Sequence, residues 1–163
     1  MRFLLALALL VLAALPAFAD DGKIAFWSTQ RKGANMMNEV QTEAQFAAAA
    51  EHGIQWIRLA PDKWKAHGKD FLIGDADHDT GLDQADLTTL KAMRAAADRQ
   101  HCKSVLTMLS LPGARWRQLN GGKDDLRLWR DPEYWDQAVA FWRDLAAALK
   151  DEPALVGYNI LNE

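Results

Sequence analysis

The chain has 163 residues, a formal net charge of −3 at neutral pH and a single cysteine. Mild acidity without a block of basic residues argues against a nucleic-acid partner. Cys102 cannot form an internal disulfide, so the fold depends on a hydrophobic core, in which we expect this thiol to be buried.

The first 19 residues have the pattern of a secretory signal peptide. Arg2 gives a positively charged start, an apolar stretch runs from Phe3 to Leu15, and residues 16–19 supply the small residues of a cleavage site. The stretch is too short and wrongly flanked for a good membrane span. We therefore expect cleavage after Ala19, which leaves residues 20–163 as one secreted or periplasmic domain that is not held in a membrane.

Strand-like and helix-like segments alternate along the rest of the chain. We predict strands over four ranges: 23–28, 54–59, 104–111 and 155–161. We predict helices over three ranges: 42–52, 83–100 and 132–150. Gly53 ends the first helix and Asp83 is a suitable N-cap for the second. Such alternation indicates parallel strands joined by right-handed crossovers.

The third predicted helix has one apolar face. We expect five of its residues to lie in the core: Trp135, Val139, Trp142, Leu145 and Leu149. The connections that follow helices are short, whereas those that follow strands are long, over residues 61–82 and 112–131. Long loops at the carboxyl ends of strands are where such folds build their sites. Half of a (β/α)8 barrel and a complete small doubly wound domain both fit this pattern.

Two polar residues close the fourth predicted strand. Asn162 and Glu163 place an amide and a carboxyl group at its carboxyl end, where Glu163 suits a general acid or base, although a solvent-exposed terminal Glu has the same sequence. Arg58 lies inside the second strand, where a buried charge needs a partner. Its guanidinium group suits the binding of carboxylates or hydroxyls, and a purely structural ion pair is the alternative.

Seven tryptophans are many for a chain of this length. Trp27 is predicted at the end of the first strand, and Trp116 and Trp129 lie in the loop after the third. These three could line a cleft for sugar rings, with Gln118 and Arg115 supplying polar contacts, or they could simply anchor loops in the core.

The loop from Asp75 to Asp86 resembles a calcium-binding loop of the EF-hand or dockerin type, with carboxylates at positions 1, 3, 5 and 12. Thr80 stands at position 6, where the sharp turn needs glycine. An acidic loop leading into a capped helix explains the same residues. The four histidines show no metal-ligand spacing.

Three segments together resemble the N-terminal half of a glycoside hydrolase of family 5, the cellulase family. They are IQWIRLAP (Ile54–Pro61), SVLTMLSLPGARW (Ser104–Trp116) and PALVGYNILNE (Pro153–Glu163). The resemblance implies a (β/α)8 TIM barrel of which the first four β/α units are present, up to strand 4. It also implies a retaining mechanism.

Within this resemblance, Glu163 matches the acid/base carboxyl at the end of the fourth strand. Asn162 matches the preceding residue, which contacts the sugar 2-hydroxyl, and Arg58 matches the residue that supports the nucleophile. That nucleophile is a second Glu on a seventh strand, which these 163 residues do not reach. Leu109 stands where many members have a histidine, so the subfamily stays open.

The resemblance therefore implies a fragment of a longer, monomeric enzyme that is inactive on its own. The chemistry that it implies requires no metal and no organic cofactor. Its substrate class is a β-1,4-linked glucan, mannan or related polysaccharide, or oligosaccharides derived from it. Two other functions remain open: a non-catalytic carbohydrate-binding protein on the same scaffold, and a calcium-stabilised interaction module built around Asp75–Asp86.

Overall fold

The structure is a computed structural model that describes residues 22–36, 39–61, 71–73, 77–117 and 120–162. The predicted signal peptide, Gln118 and Glu163 lie outside the described residues, as does Asp75 at the start of the acidic loop.

Four parallel strands form one sheet in the order β1-β2-β3-β4. The strands are β1 (Gly33–Met36), β2 (Trp56–Leu59), β3 (Lys103–Thr107) and β4 (Leu155–Asn159). Each strand lies beside the next one along the chain, and every pair is parallel. This order confirms the predicted α/β fold and fits part of a (β/α)8 barrel.

Helices connect the strands and cover one face of the sheet. They are α1 (Gly22–Ala25), which continues into a 3-10 turn (Phe26–Ser28), α2 (Glu43–Glu51), α3 (Gln84–Arg99), α4 (Arg127–Arg130) and α5 (Pro132–Leu149). Among the described residues, no helix is both long enough and apolar enough to cross a membrane.

Side-chain caps set where the main helices begin. Thr42 and Gln45 form a capping box at the start of α2, and Asp83 accepts hydrogen bonds from two backbone amides at the start of α3. Asp131 caps α5 in the same way, directly before Pro132. All three predicted helices are therefore confirmed to within one residue at each end.

The predicted first strand, over residues 23–28, is wrong. The segment is helical, and β1 begins ten residues later, at Gly33. The side chain of Trp27 anchors this helical segment. Its Nε1 donates to the backbone oxygen of Val156 at 2.8 Å, and its ring packs edge to face against that of Trp56. The segment packs against the amino end of the sheet instead of extending it.

Gly33 allows β1 to lie beside β2. A Cβ atom at this position would stand 2.2 Å from Cε2 of Trp56, its register partner, so only glycine leaves room for the indole ring. A strand that contains Gly33, Ala34 and Asn35 has few β-favouring residues, which is why its sequence does not predict it.

The predicted apolar face of α5 is partly wrong. Trp135 and Val139 are 50% and 65% exposed, whereas Phe141, Leu145 and Leu149 are buried. The helix therefore turns a neighbouring apolar stripe toward the sheet, and part of the predicted stripe lies on its outer flank.

The core fills the space between the helices and one face of the sheet. Its fully buried members include Phe46, Ile57, Leu59, Leu90, Leu106, Phe141, Leu145 and Leu149. Cys102 belongs to this core, as predicted, and burial raises the pKa of its thiol to about 11. The thiol is therefore protonated near neutral pH and unreactive.

Candidate active site

The carboxyl ends of β2, β3 and β4 meet at one edge of the sheet. The chain that follows β4 stays against β3, because the backbone amide of Asn162 donates to the backbone oxygen of Met108 at 2.9 Å. The last described residue is therefore held at the edge where parallel α/β folds carry their sites.

Arg58 and Asn162 are in direct contact, although 104 positions separate them in the sequence. Arg58 Nη2 donates to Asn162 Oδ1. Ile57 and Leu59 are both fully buried in the core, so Arg58, which lies between them, extends from the opposite face of β2. The structure thus brings together two of the three residues that the sequence indicated for catalysis.

The guanidinium group of Arg58 has further donor capacity. Its Nε is buried and has no hydrogen-bond acceptor among the described residues. A guanidinium group presents several donors in a planar fork and suits a carboxylate or a pair of hydroxyls. Arg58 can therefore orient the Asn162 amide with one nitrogen and still donate to an anionic or hydroxyl group beside it.

A second polar pair lies on the same face of the sheet. Thr107 is fully buried, and its Oγ1 donates to Asn159 Oδ1 at 2.9 Å. Asn159 Nδ2 in turn donates to the backbone oxygen of Leu161 at 3.4 Å. This pair links the ends of β3 and β4 and holds the chain just before Asn162. The only signal for this pair in the sequence is that each member is a polar residue inside an otherwise apolar strand segment, which does not predict that the two meet.

Trp116 and Trp129 line one cavity of about 210 Å³, together with Leu109 and Leu161. The ring of Trp129 is accessible, since the residue is 55% exposed, and the backbone amide of Trp116 donates to Ser110 Oγ at 3.1 Å. Leu161 directly precedes Asn162, so the cavity adjoins the candidate catalytic residues. An aromatic-lined cavity of this kind can stack a flat apolar ligand face.

A charged network supports the wall of this cavity. Arg127 donates to Asp125 Oδ1 through Nε and to Asp125 Oδ2 through Nη2, both at 2.9 Å, and also to Asp77 and to the hydroxyl of Tyr134. The hydrogen bonds from Arg127 hold the pKa of Asp125 below its usual range. The network joins the loop after β2 to the loop after β3. The sequence alone does not predict it, because its members lie in separate loops.

Trp27 does not lie near this edge. It contacts Trp56 and Val156, which stand at or near the beginnings of β2 and β4, so it lies at the amino end of the sheet. Its predicted position at a strand end in the cleft is wrong, because the segment that carries it is helical.

In the described part of the acidic loop, the carboxylates have separate partners. Asp79 accepts from the amide of Gly81, Asp83 caps α3, Asp86 accepts from the amide of Leu72, and Asp77 pairs with Arg127. No group of three or more acidic, histidine or cysteine residues that could hold a metal ion occurs among the residues that the structure describes.

Neither a protein-family model nor a curated protein sequence matches the chain. Solved structures do match it. The endoglucanase Cel5A of Pseudomonas stutzeri, in complex with cellobiose, superposes with a TM-score of 0.52 at 23% identity, over 75% of this chain and 32% of that one. A β-mannanase from the blue mussel Mytilus edulis gives a TM-score of 0.53 at 23% identity, over 74% of this chain and 33% of that one.

A GH5_18 protein from Streptomyces cattleya, in complex with Manβ1-4GlcNAc, gives a TM-score of 0.56 at 16% identity, over 82% of this chain and 34% of that one. The chain thus spans about a third of the length of these three structures. At such identities the likeness concerns the fold alone. The chain shares the fold of about a third of each of these solved glycoside hydrolase barrels.

Proposed function

We propose that the chain carries the acid/base half of a retaining glycoside hydrolase of the family 5 type, which cleaves a β-linked polysaccharide or oligosaccharide. The observation that carries the proposal is the contact between Arg58 and Asn162 at the carboxyl end of the sheet. The contact brings together two residues that each match the family pattern. The fold in which they meet is shared with solved glycoside hydrolases.

In the proposed mechanism, Glu163 hands a proton to the leaving glycosidic oxygen and later removes one from the attacking water. Asn162 binds the sugar 2-hydroxyl, and its amide is oriented by Arg58. Such a reaction requires a second carboxylate roughly 5–5.5 Å from the first, which attacks the anomeric carbon. The unused Nε of Arg58 is available to hold that carboxylate in its ionised form.

Substrate binding is proposed at the cavity beside Leu161. Trp116 and Trp129 would stack against sugar rings, and Arg115, which also lines the cavity, would add polar contacts. Gln118, two positions after Trp116 in the sequence, is proposed as a further polar contact. The ligands named for the structural neighbours are cellobiose and Manβ1-4GlcNAc. Both are disaccharides, which fits a β-1,4-linked glucan, mannan or related substrate for this chain.

The remaining parts of the proposal concern the whole protein. We propose that it is exported by the signal peptide over residues 1–19, acts outside the cytoplasm as a monomer and needs no metal or organic cofactor. Retaining glycoside hydrolysis uses two carboxyl groups and water, so the chemistry itself requires no further group.

Product stereochemistry tests this proposal. The complete product of the gene is incubated with β-1,4-glucan and β-1,4-mannan oligosaccharides, and the anomeric protons of the first products are followed by NMR. We expect initial release of the β-anomer, which mutarotates later. Initial release of the α-anomer would exclude the retaining mechanism. An absence of cleavage on every β-glycan offered would exclude the proposed hydrolase activity.

A non-catalytic carbohydrate-binding protein is the second candidate, favoured by the cavity between Trp116 and Trp129. Calorimetric titration with the same oligosaccharides separates the two. Binding that is lost in Trp129→Ala, without any cleavage by the complete gene product, would support this second function.

A further inference from the structure

The cavity that Trp116 and Trp129 line is apolar on more than its aromatic side. Four aliphatic residues also line it: Leu109, Ala114, Leu126 and Leu161. Leu109 and Ala114 are buried and form its inner wall, whereas Leu126 and Trp129 are 44% and 55% exposed and stand at its mouth. An aromatic ring alone suits the flat face of a sugar, but aliphatic side chains around it suit a group without hydroxyls.

The two carboxylates that line the cavity already have partners. Asp125 accepts two hydrogen bonds from the side chain of Arg127, both at 2.9 Å, and one from each backbone amide of Arg115 and Arg127, both at 3.3 Å. Asp124 pairs with Arg117 at 3.3 Å. A sugar hydroxyl that entered the cavity would therefore compete with these donors for an acceptor, and a hydroxyl buried without a hydrogen bond is costly.

Donors line the same cavity. Arg115 and Arg117 are among its lining residues, and a guanidinium group donates hydrogen bonds but never accepts them. A group that offers an acceptor and no donor therefore matches the cavity better than a hydroxyl does. An acetyl group has this composition, because its carbonyl oxygen accepts and its methyl group suits an apolar wall. It also fits the volume of about 210 Å³, since a water molecule takes up only about 30 Å³ and an acetyl group has three non-hydrogen atoms.

We propose that this cavity receives an acetyl group carried by the glycan, so that the substrate is an acetylated β-linked polysaccharide or oligosaccharide. The sugar ring stacks on Trp129, the methyl group packs against Leu126 and Leu161, and the carbonyl oxygen accepts from Arg115. An O-acetyl ester and an N-acetyl amide offer the same methyl and carbonyl groups. The inference rests on the sugar-binding role proposed for the cavity and is independent of the acid/base role of Glu163.

Calorimetric titration of the complete gene product tests the proposal, with Glu163→Gln used so that cleavage does not interfere. One arm compares O-acetylated glucomannan oligosaccharides before and after alkaline deacetylation. The other compares Manβ1-4GlcNAc with Manβ1-4Glc. Burial of one methyl group lowers Kd about fourfold, so we expect the acetylated member to bind at least ~4-fold more tightly in one arm or in both. The arm that shows the preference identifies the ester or the amide.

Leu126→Asn tests whether this cavity is responsible for the preference. Leu126 is 44% exposed, so the substitution should leave the fold intact while it places a polar amide at the mouth of the cavity. We expect the preference for the acetylated member to fall below about twofold, because the methyl group loses an apolar contact. Val40→Asn is the matched control. Val40 is 40% exposed and lies just before the N-cap of α2, outside the cavity lining, so the full preference should remain.

Equal or weaker binding of the acetylated member in both arms overturns the proposal, as does an absence of binding to every glycan. A preference that Leu126→Asn leaves unchanged, or that Val40→Asn also abolishes, overturns the assignment to this cavity. Failure of the proposed hydrolase activity is recognised separately. If the wild type cleaves none of these glycans but binds the acetylated members more tightly, the hydrolase activity is excluded and the acetyl site stands.

Discussion

Thr107→Val tests how much the hydrogen bond between Thr107 and Asn159, next to the candidate site, contributes to stability. Thr107→Val keeps the branched shape of the side chain and leaves no cavity, so the substitution removes only the hydrogen bond to Asn159. Thr107 is 0% exposed and the bond is 2.9 Å long. Asn159 is only half-buried, so water can partly replace the lost donor, and the loss is that of a typical hydrogen bond, about 0.5–1.5 kcal/mol of unfolding free energy.

Urea denaturation of the complete gene product measures this cost. Asn159→Leu and the double variant complete a cycle, in which the double variant should lose less than the sum of the two single variants, since neither polar group is then left unpaired. Hydrogen exchange at the Asn162 amide should quicken in Thr107→Val, because Asn159 also holds the Leu161 carbonyl. A change below about 0.5 kcal/mol, or strict additivity in the cycle, would show that the bond between Thr107 and Asn159 does not stabilise the fold.

Two further predictions concern other parts of the fold. Gly33→Ala should destabilise the protein by more than about 2 kcal/mol in denaturant unfolding, because the new Cβ overlaps the Trp56 ring, whereas Gly157→Ala makes only an ordinary 3.6 Å contact and should be tolerated. Asp125→Asn should remove a pH-dependent part of the stability: the pKa of Asp125 is lowered by Arg127, so its contribution is present above the unfolded-state pKa and is lost as the pH falls through the folded-state pKa. Thermal unfolding between pH 2 and pH 7 should therefore be less steeply pH-dependent in the variant, and identical profiles would contradict this assignment.

Local sequence signals predict the fold where they agree with packing. The helix signals at Asp83 and Gly53 give correct boundaries, since caps and glycine stops act within a few residues of themselves. The prediction of the first strand is wrong because its local signal is ambiguous. A short apolar run such as 23–28 fits a strand or a helix equally well, and β1 depends on the indole of Trp56 lying over Gly33, a contact that only the folded chain contains.

The apolar face of α5 shows the same limit. Trp135, Val139 and Trp142 form a helical stripe that is as regular as the stripe containing Phe141 and Leu145, and tertiary packing decides which of the two faces the sheet. The sequence places apolar residues on α5 correctly. It does not distinguish the side of α5 that faces the core from the exposed flank beside it.

The candidate site was partly predictable, because parallel strands carry their carboxyl ends to one edge. Arg58 and Asn162 could therefore be expected near each other, and the structure places them in contact. The pairing of Thr107 with Asn159 was not predictable: each is a polar residue inside an apolar strand segment, but 52 positions separate them and nothing local indicates that they meet.

Glu163→Gln in the complete gene product tests whether Glu163 is the acid/base group of a retaining glycoside hydrolase. We expect kcat on a β-linked polysaccharide to fall by about 10²–10⁴, because glutamine cannot donate a proton to the leaving oxygen. Glycosides whose leaving group needs no proton should keep a near-normal rate of the first step, and Glu152→Gln should retain full activity on both substrates. An undiminished kcat of Glu163→Gln on the polysaccharide would exclude Glu163 as the acid/base group.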